Sequence, residues 1–470
     1  MKVPAFAVVG RPNKGKSSIV ATLARDDSVY IDARSGSTRE ARAFPMTVDG
    51  ETLYTLVDTP GIQRAREVLD WLQAHCSDAS ARGETVREFV AVHQDNPRFN
   101  DECALLTPIV EGAGIIYVVD GSCPFAADYE AEMEILRWTG RPSLAVINPV
   151  DNDDFAAEWE AGLGQYFRTV RRFNAHRAEY DKQLELLELF GHLDPNWRDA
   201  LQRAVGVLRA ERDAQHRTAS VLIADLINDS LNFSTSQRLL QGMPTEPVQK
   251  ALAASYRQQL SERERRNRRQ VEEVYHYHSL QRSEASLALE DSELFNMENW
   301  YLWGLNRRSL TVVASSAGAL LGGGAGMVVD GATGGLLGGL ATLGSSAVGA
   351  VTGGVGAWRY ADEIARIQLK GIPTGGQQLR YGPSRNINFP FVLLGRALLH
   401  HRLLCSRTHA DRSELKLNDN LLEQLSDTER RKLARIFANL RSQKRVQETR
   451  AKLEQMLLDW CRAHDAHATA

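Results

Sequence analysis

The chain has 470 residues, of which 56 are Lys or Arg and 59 are Asp or Glu, so its formal net charge is −3 at pH 7. This length accommodates two or three domains, and a composition of 43% hydrophobic and 24% charged residues argues against wholesale disorder, collagen-like repeats and polytopic membrane proteins. The near-neutral charge argues against a dedicated nucleic-acid binder. The five scattered cysteines include no C-x-x-C pair, which argues against a disulfide scaffold or a zinc site and favours a reducing cytosol.

An apolar run and a glycine-rich loop open the chain. Residues 3–9 predict a short strand rather than a signal peptide, since no small-residue cleavage site follows them. Residues 10–17 fit the pattern G-x-x-x-x-G-K-S/T between a strand and a helix. There, Lys16 would reach the β and γ phosphate oxygens and the Ser17 hydroxyl would bind Mg²⁺. The alternative is a glycine-rich turn that binds no nucleotide. The candidate nucleotide-binding residues of this loop are Gly10, Asn13, Lys14, Gly15, Lys16, Ser17 and Ser18.

Two further segments are candidates for sensing the terminal phosphate. A second apolar run ends in Asp58-Thr-Pro-Gly61, where Asp58 would hold Mg²⁺ through water and the Gly61 N–H would contact the γ-phosphate. Thr38 lies between this motif and the first loop, at about the spacing of a switch threonine that completes the Mg²⁺ ligands. An ordinary surface threonine is the alternative at this position.

A motif for reading the base follows later in the chain. After a strand predicted at 114–120 and a helix at 128–138, an apolar run leads into Asn148-Pro149-Val-Asp151. This sequence resembles N-K-x-D, in which the aspartate accepts hydrogen bonds from the guanine N1–H and the exocyclic amine. Pro149 replaces the lysine that packs on the base. Because Asp151 is the discriminating group, the sequence favours guanine over adenine.

In this order, the motifs across residues 10–176 resemble those of the Era-like GTPases of the TRAFAC class. The chain is most similar to a bacterial family with an Era-like G domain and a long C-terminal helical domain. The resemblance implies an α/β P-loop G domain with a mostly parallel sheet and helices on both faces, which hydrolyses GTP to GDP and phosphate with Mg²⁺. It also implies that the Ala175 N–H, in the position of the S-A-K motif, binds the guanine O6.

The same resemblance predicts slow hydrolysis. Ile62 stands where Ras-like enzymes carry the glutamine that orients the attacking water. Asn13 matches the asparagine with which Era-like enzymes hold an activating K⁺ ion, which supplies the charge otherwise given by an arginine finger; Arg39 is a local alternative. The residues predicted to act in catalysis are Lys16, Thr38, Gly61 and Asn13. The residues predicted to bind Mg²⁺ are Ser17, Thr38 and Asp58.

The sequence divides into four parts. Residues 1–192 are the predicted G domain, with an insertion at about 62–112 that contains two short helical pieces. This insertion is expected to be a lid or a partner-docking surface, and a decoration without either role is the alternative. Residues 193–299 and 361–470 are predicted to be mainly α-helical, and residues 300–360 form a glycine-rich apolar hairpin between them.

The hairpin is the candidate for membrane association. Across residues 310–357 the only charged residue is Asp330, and Trp and Arg residues flank both ends. Glycines recur every four residues, which lets two helices approach closely. We expect residues 310–357 to associate with the cytoplasmic face of the inner membrane. A tightly packed soluble hairpin or a flexible glycine-rich loop is the alternative.

Three weaker patterns complete the helical part. Residues 257–269 contain six Arg, which favours a solvated helix face, with anionic lipid or RNA as the alternative partner. The His276/His278 and His400/His401 pairs have no neighbouring carboxylate or cysteine cluster in the sequence, so solvent or core positions are favoured over metal ligation. Ser426 and Glu429 form the pattern of a capping box at the start of a helix.

The sequence therefore predicts a GTP-dependent molecular switch that couples its nucleotide state to a membrane-associated helical domain. A ribosome- or RNA-associated assembly GTPase is the rival, although no RNA-binding module is recognisable in the second half. A nucleotide-binding scaffold with negligible turnover is a third interpretation. The expected partners are GTP or GDP, the inner membrane, an unidentified protein and a second copy of the chain.

Overall fold

The computed structural model describes most of the chain. Thr38, Arg39 and the candidate hairpin at 310–357 lie outside the described residues, so the expectations placed on them stay predictions. Within the described part, no helix combines the length and the apolar character needed to cross a membrane. The described residues are 3–26, 29, 40–239, 245–278, 280, 365–372, 376–411 and 425–466.

Within these residues, the first region is built on a six-stranded sheet of order β2-β3-β1-β4-β5-β6. The β2–β3 pair is antiparallel and the other pairs are parallel. The carboxyl ends of parallel strands meet at one edge of a sheet, which is where ligands bind in this type of fold. The strands are β1 (Ala5–Val9), β2 (Arg42–Val48), β3 (Glu51–Asp58), β4 (Gly114–Asp120), β5 (Ser143–Asn148) and β6 (Val170–Arg172).

Helices cover both faces of this sheet. Alternate residues of the fully buried strand β4 enter opposite cores, Ile116 on one face and Ile115 on the other. Strands buried on both faces read as continuous apolar runs, which is why the sequence pattern located them. The predicted insertion contains three α-helices instead of two, namely α2, α3 and α4. The helices of this region are α1 (Lys16–Ala24), α2 (Ala65–His75), α3 (Arg82–His93), α4 (Asn100–Val110), α5 (Asp128–Trp138), α6 (Ala156–Leu163) and α7 (Tyr180–Leu193).

The second region is mainly helical, so the predicted fold class of an α/β domain followed by a helical region is confirmed. It also contains a small antiparallel sheet of order β7-β9-β8, which the sequence did not predict. Its helices are α8 (Pro195–Asn232), α9 (Thr245–Val274), α10 (Phe389–Cys405), α11 (Asp427–Arg441) and α12 (Val446–Ala466). Its strands are β7 (Thr235–Leu239), β8 (Ala365–Ile372) and β9 (Gly376–Ser384).

Helix α8 joins the two regions. The Asp194 side chain accepts a hydrogen bond from the Asn196 N–H, which caps the helix immediately before Pro195. Leu201 and Leu208, near its start, belong to a core of the first region, whereas Ile223 and Ile227 belong to the core of the second. One continuous helix therefore carries apolar residues into both regions.

The arginine-rich segment of α9 is only partly a solvated face. Glu264 and Arg268 are buried, and Glu264 pairs with both Arg268 and Arg396 of α10. Both guanidiniums lie 2.5 Å from the same Glu264 carboxylate oxygen, Oε1. Burial raises the pKa of Glu264, but the two arginines outweigh it and lower that pKa to about 2. This buried ion triad links α9 to α10.

The predicted capping box at the start of α11 is present. The Glu429 N–H donates to the Ser426 hydroxyl, and the Ser426 N–H donates to the Glu429 carboxylate. The cap places Leu433 and Phe437 in the core of the second region.

Candidate nucleotide-binding site

The glycine-rich loop connects β1 to α1 at the edge where the parallel strands end. Gly15 has a φ of +85°, and a Cβ atom there would lie 2.1 Å from the Asn148 Nδ2 atom. A Cβ atom at Gly61 would lie 2.5 Å from Pro12. Gly15 of this loop and Gly61, which follows β3, therefore both require glycine, because neighbouring residues leave no room for a Cβ atom.

Lys16 lies inside this loop. Its ammonium group donates to the Arg11 carbonyl at 3.0 Å, and the side chain is buried. Burial lowers the pKa of Lys16 to about 8, against the opposing effect of the Asp58 and Glu132 carboxylates. Anionic phosphate oxygens would provide the partners that a buried ammonium group requires.

The structure brings two predicted magnesium ligands together. The Ser17 hydroxyl donates to the Asp58 Oδ2 at 2.8 Å, because α1 begins next to the end of β3. A hydroxyl and a carboxylate are the oxygen donors that Mg²⁺ prefers. Ser17 and Asp58 therefore fit Mg²⁺, with Asp58 predicted to hold the ion through a water molecule.

The sequence analysis did not single out four residues around the loop, namely Arg11, Asp120, Tyr129 and Glu132. Arg11 pairs with the buried Glu132 of α5 and lies 3.7 Å above the Tyr129 ring. Lys14 Nζ is 3.2 Å from the carboxylate of Asp120 at the end of β4. These contacts tie the loop to β4 and α5, and the only signal in the sequence was the position of Asp120 at a strand end.

At the end of the site that is predicted to bind the base, Asn148 connects two loops. Its Nδ2 donates to the Lys14 carbonyl at 3.3 Å, and its Oδ1 accepts from the Ala175 N–H at 3.1 Å. Asn148 is fully buried and joins the glycine-rich loop to the loop at 174–176. Since the Ala175 N–H already donates to Asn148, a guanine O6 would compete for that donor. Asp151 is exposed beyond β5, where a carboxylate is accessible to a base.

The segment after Gly61 is held by helix α4 of the predicted insertion. Ile62 is buried in a core, and the N–H groups of Gln63 and Arg64 both donate to Glu102 of α4, at 3.0 and 2.8 Å. The Gln63 side chain donates to Asp101 at 3.0 Å. The amide of Gln63 is thus directed to α4, and neither Ile62 nor Gln63 is placed to orient a water molecule.

The loop at 174–176 also contacts the second region. The Ala175 carbonyl accepts hydrogen bonds from Thr22 of α1 at 2.7 Å and from Thr408 at 2.8 Å. Thr408 follows α10 and is buried, and Ala410 packs into the core beside α1. Farther along the same interface, Arg25 pairs with Glu211 of α8. The loop that is predicted to bind the base is therefore in direct contact with residues of the helical region.

Comparison with known proteins assigns both parts of the chain. Residues 161–459 match the family model described as domain of unknown function DUF3482, which is more than half of the chain. The chain belongs to the DUF3482 family. Residues 5–148 match the model described as 50S ribosome-binding GTPase. The resemblance to Era-like bacterial GTPases with an additional C-terminal domain is thereby confirmed.

Individual relatives cover smaller parts of the chain. It is 29% identical to GTPase Der of Prochlorococcus marinus over 211 residues, which is 44% of this chain and 40% of the relative. It is 39% identical to GTPase Der of Mycoplasma pneumoniae over 69 residues, which is 15% of each chain. The chain thus spans less than half the length of these curated relatives.

Two solved structures were also matched. A structure of Era with MgGDPNP and a segment of 16S ribosomal RNA is 19% identical and covers 37% of this chain and 52% of Era, with a TM-score of 0.26. A structure of Aquifex aeolicus Era bound to GDP and aluminium fluoride is 16% identical and covers 58% of this chain and 90% of Era, also with a TM-score of 0.26.

Proposed function

We propose that this protein binds GTP with Mg²⁺, hydrolyses it to GDP and phosphate, and transmits its nucleotide state to the helical region. The observation that carries the proposal is the position of Ala175. Its N–H is bound by Asn148 of the guanine motif, and its carbonyl is bound by Thr408 of the helical region. A change in the conformation of the base-binding loop would therefore act directly on Thr408, which follows α10.

The residues of the chain have separate roles in this proposal. Lys16 neutralises charge on the β and γ phosphates, and Ser17 and Asp58 hold Mg²⁺ together with Thr38. The Gly61 N–H contacts the γ-phosphate, and Asp151 accepts two hydrogen bonds from guanine. Bound Mg²⁺ supplies charge stabilisation to the phosphate oxygens during transfer.

Base recognition is tested by the variant Asp151→Asn. The amide loses two acceptor contacts with guanine but presents an N–H to the extra oxygen of xanthine. We expect the GTP affinity to fall about 100-fold and the xanthosine triphosphate affinity to rise. Asp154→Asn, which changes an exposed aspartate of the same loop, is the matched control. If both variants bind GTP as the wild type does, the proposed base site is wrong.

A competition of GTP against ATP for the wild type measures how strongly the site prefers guanine over adenine when Pro149 replaces the lysine of the motif.

The mode of hydrolysis is proposed to depend on K⁺. Ile62 is buried and the Gln63 amide is bound to Asp101, so neither residue orients the attacking water. Asn13 lies in the glycine-rich loop with a φ of +61° and is the proposed ligand of the ion. Replacing KCl by NaCl at equal ionic strength should slow hydrolysis about tenfold or more, and Asn13→Ala should remove this dependence. Equal rates in both salts would leave Arg39 as the local source of positive charge.

The helical region is proposed to associate with the cytoplasmic face of the inner membrane through residues 310–357. The support is the sequence alone: a run with one charged residue, flanked by Trp and Arg. Membranes from cells that express the full chain, or a variant lacking residues 309–358, would be washed with alkaline carbonate. The proposal expects only the full chain to remain in the pellet. Extraction of both proteins would contradict it.

Ribosome association is the second candidate, favoured by the match of residues 5–148 to a model described as 50S ribosome-binding GTPase. Arg268 is buried, so it is not available for binding RNA from the surface of α9. Cosedimentation with ribosomes that weakens with salt and requires GTP would favour this candidate over membrane association.

A further inference from the structure

A cluster of nitrogen and sulfur donors lies in the helical region, away from the nucleotide site. Donor atoms of His216 on α8 and of His401 and Cys405 on α10 all lie within 4.8 Å of one another. The three side chains are 3%, 0% and 8% exposed, respectively. Nothing in the proposed nucleotide chemistry uses these residues.

In each histidine ring, the nitrogen that faces away from the centre of the cluster has a hydrogen-bonding partner. His216 Nε2 is 2.7 Å from Asp465 Oδ2, and His401 Nδ1 is 3.1 Å from His464 Nδ1. Because a carboxylate only accepts, His216 carries its proton on Nε2 and presents a lone pair on Nδ1. Histidine ligands of metals are held in this way, with the second nitrogen bound to a carboxylate or another polar group.

The inner nitrogens converge on one hydroxyl group. The Tyr275 oxygen is 2.9 Å from His216 Nδ1 and 2.7 Å from His401 Nε2. The sulfur of Cys405 is 3.6 Å from His401 Nε2. In a tetrahedral zinc site, Zn–N and Zn–S bonds place neighbouring nitrogen and sulfur donors about 3.6 Å apart. The spacing of Cys405 and His401 fits this edge. The Tyr275 oxygen is at hydrogen-bond distance from both rings and would move to about 3.3 Å from each nitrogen on binding the ion.

The charged groups beside the cluster are balanced. Arg212 donates to both oxygens of Asp465, at 2.9 and 2.7 Å, so these two charges offset each other. Metal binding would release the Cys405 thiol proton to solvent, and the thiolate would offset one of the two metal charges.

We propose that His216, His401 and Cys405, with the Tyr275 hydroxyl as fourth ligand, form a structural zinc site. Two nitrogen donors, one sulfur donor and one oxygen donor suit zinc better than Mg²⁺, which prefers oxygen alone. The site would link α8 to α10 and, through Tyr275, to the end of α9. Cys405 ends α10, and Thr408, which contacts the base-binding loop, lies shortly after it.

The first test is the metal content of the full chain. The protein is produced without a polyhistidine tag, incubated with zinc in excess Mg²⁺ and GDP to occupy the nucleotide site, desalted and analysed by mass spectrometry for metals. The proposal expects about one zinc ion per chain, and Cys405→Ser and His401→Gln should lose it. Two control variants should keep it: Cys103→Ser, which removes a buried thiol of α4, and His400→Gln, which changes a ring that contacts Glu272 instead of the cluster.

Cobalt identifies the ligands independently. Co²⁺ added to the chelator-stripped wild type should give a thiolate-to-cobalt absorption band that Cys405→Ser lacks and Cys103→Ser retains. Chelation should lower the melting temperature of the wild type, and zinc should restore it, a measurement that needs no variant to fold. A wild type without stoichiometric zinc, or zinc bound equally by Cys405→Ser, would overturn the proposal. The cluster would then be a hydrogen-bonded network from His464 through Tyr275 to Asp465.

Discussion

The nucleotide site and the histidine–cysteine cluster differ in how their residues are distributed along the chain. The first is carried by short contiguous motifs, each at the carboxyl end of a strand, as with Lys16 and Ser17 after β1 and Asp58 at the end of β3. The second is assembled from helices, with Tyr275 and His401 126 positions apart. Phosphate binding depends on a local backbone conformation, which a short sequence can specify. A metal site in a helix bundle depends on packing between helices, which no short sequence specifies.

The largest effect is expected in the first region, from Lys16→Ala. Removing one preorganised positive donor to the phosphates should slow GTP hydrolysis about 100-fold or more. Phosphate release at saturating GTP measures the change. Lys182→Ala, which removes an exposed lysine paired with Glu185, should leave the rate unchanged. Hydrolysis by the Lys16 variant at the wild-type rate would place the activity elsewhere.

In the second region, we expect substitution within the buried ion triad to have the largest effect on the free energy of unfolding. Glu264→Gln leaves the guanidiniums of Arg268 and Arg396 without their shared carboxylate and should lower the free energy of unfolding by about 3 kcal/mol. Glu262→Gln, an exposed change on the same helix, should cost less than about 1 kcal/mol. Denaturant unfolding measures both variants. Equal stability of the two would contradict the assigned role of the triad.

The same pair of variants predicts a pH dependence. The pKa of Glu264 is lowered to about 2 in the folded chain, below its value in the unfolded chain, so the triad stabilises fully above about pH 4.5. This contribution is lost as the pH falls from about 4.5 towards 2. The difference in stability between the wild type and Glu264→Gln should therefore shrink across that window, measured by denaturant unfolding at each pH. A constant difference would contradict the assignment.

A smaller effect is expected where the two regions meet. Thr408→Val removes a buried donor to the Ala175 carbonyl, which keeps its hydrogen bond from Thr22. The loss of about 1 kcal/mol should speed GDP release about fivefold, as followed with a fluorescent GDP in a stopped-flow instrument. Thr218→Val, which removes an exposed hydrogen bond from the Thr218 hydroxyl within α8, should not change the rate of GDP release. Identical release from both variants would separate the base loop from the helical region.

Sequence analysis predicted the first region well because its signals are local. Glycine is required at Gly15 and Gly61 because Asn148 and Pro12, respectively, leave no room for a Cβ atom, and β4 is continuously apolar because both of its faces are buried. The pairing of Arg11 with Glu132 could not be predicted, since the two residues are 121 positions apart, Arg11 occupies a variable position of its motif and Glu132 belongs to no motif.

The second region was predicted as helical, but its tertiary features were not. The sheet formed by β7, β9 and β8 joins segments on either side of the candidate hairpin, and its pairing depends on their three-dimensional proximity. His401 is buried, in agreement with the core position that the sequence analysis allowed. Its proximity to Cys405, one helical turn away, and to His216 on another helix results from packing and was not predicted.

Hydrogen exchange of the full chain tests most directly whether the nucleotide state reaches the helical region. The wild type would be compared with GDP and with a non-hydrolysable GTP analogue, by following peptides that cover residues 10–24, 174–176 and 406–411. The account predicts that the nucleotide changes protection at 406–411 together with 174–176, and that Thr408→Val weakens the change at 406–411. A clear change at 10–24 with no change at 406–411 would contradict it.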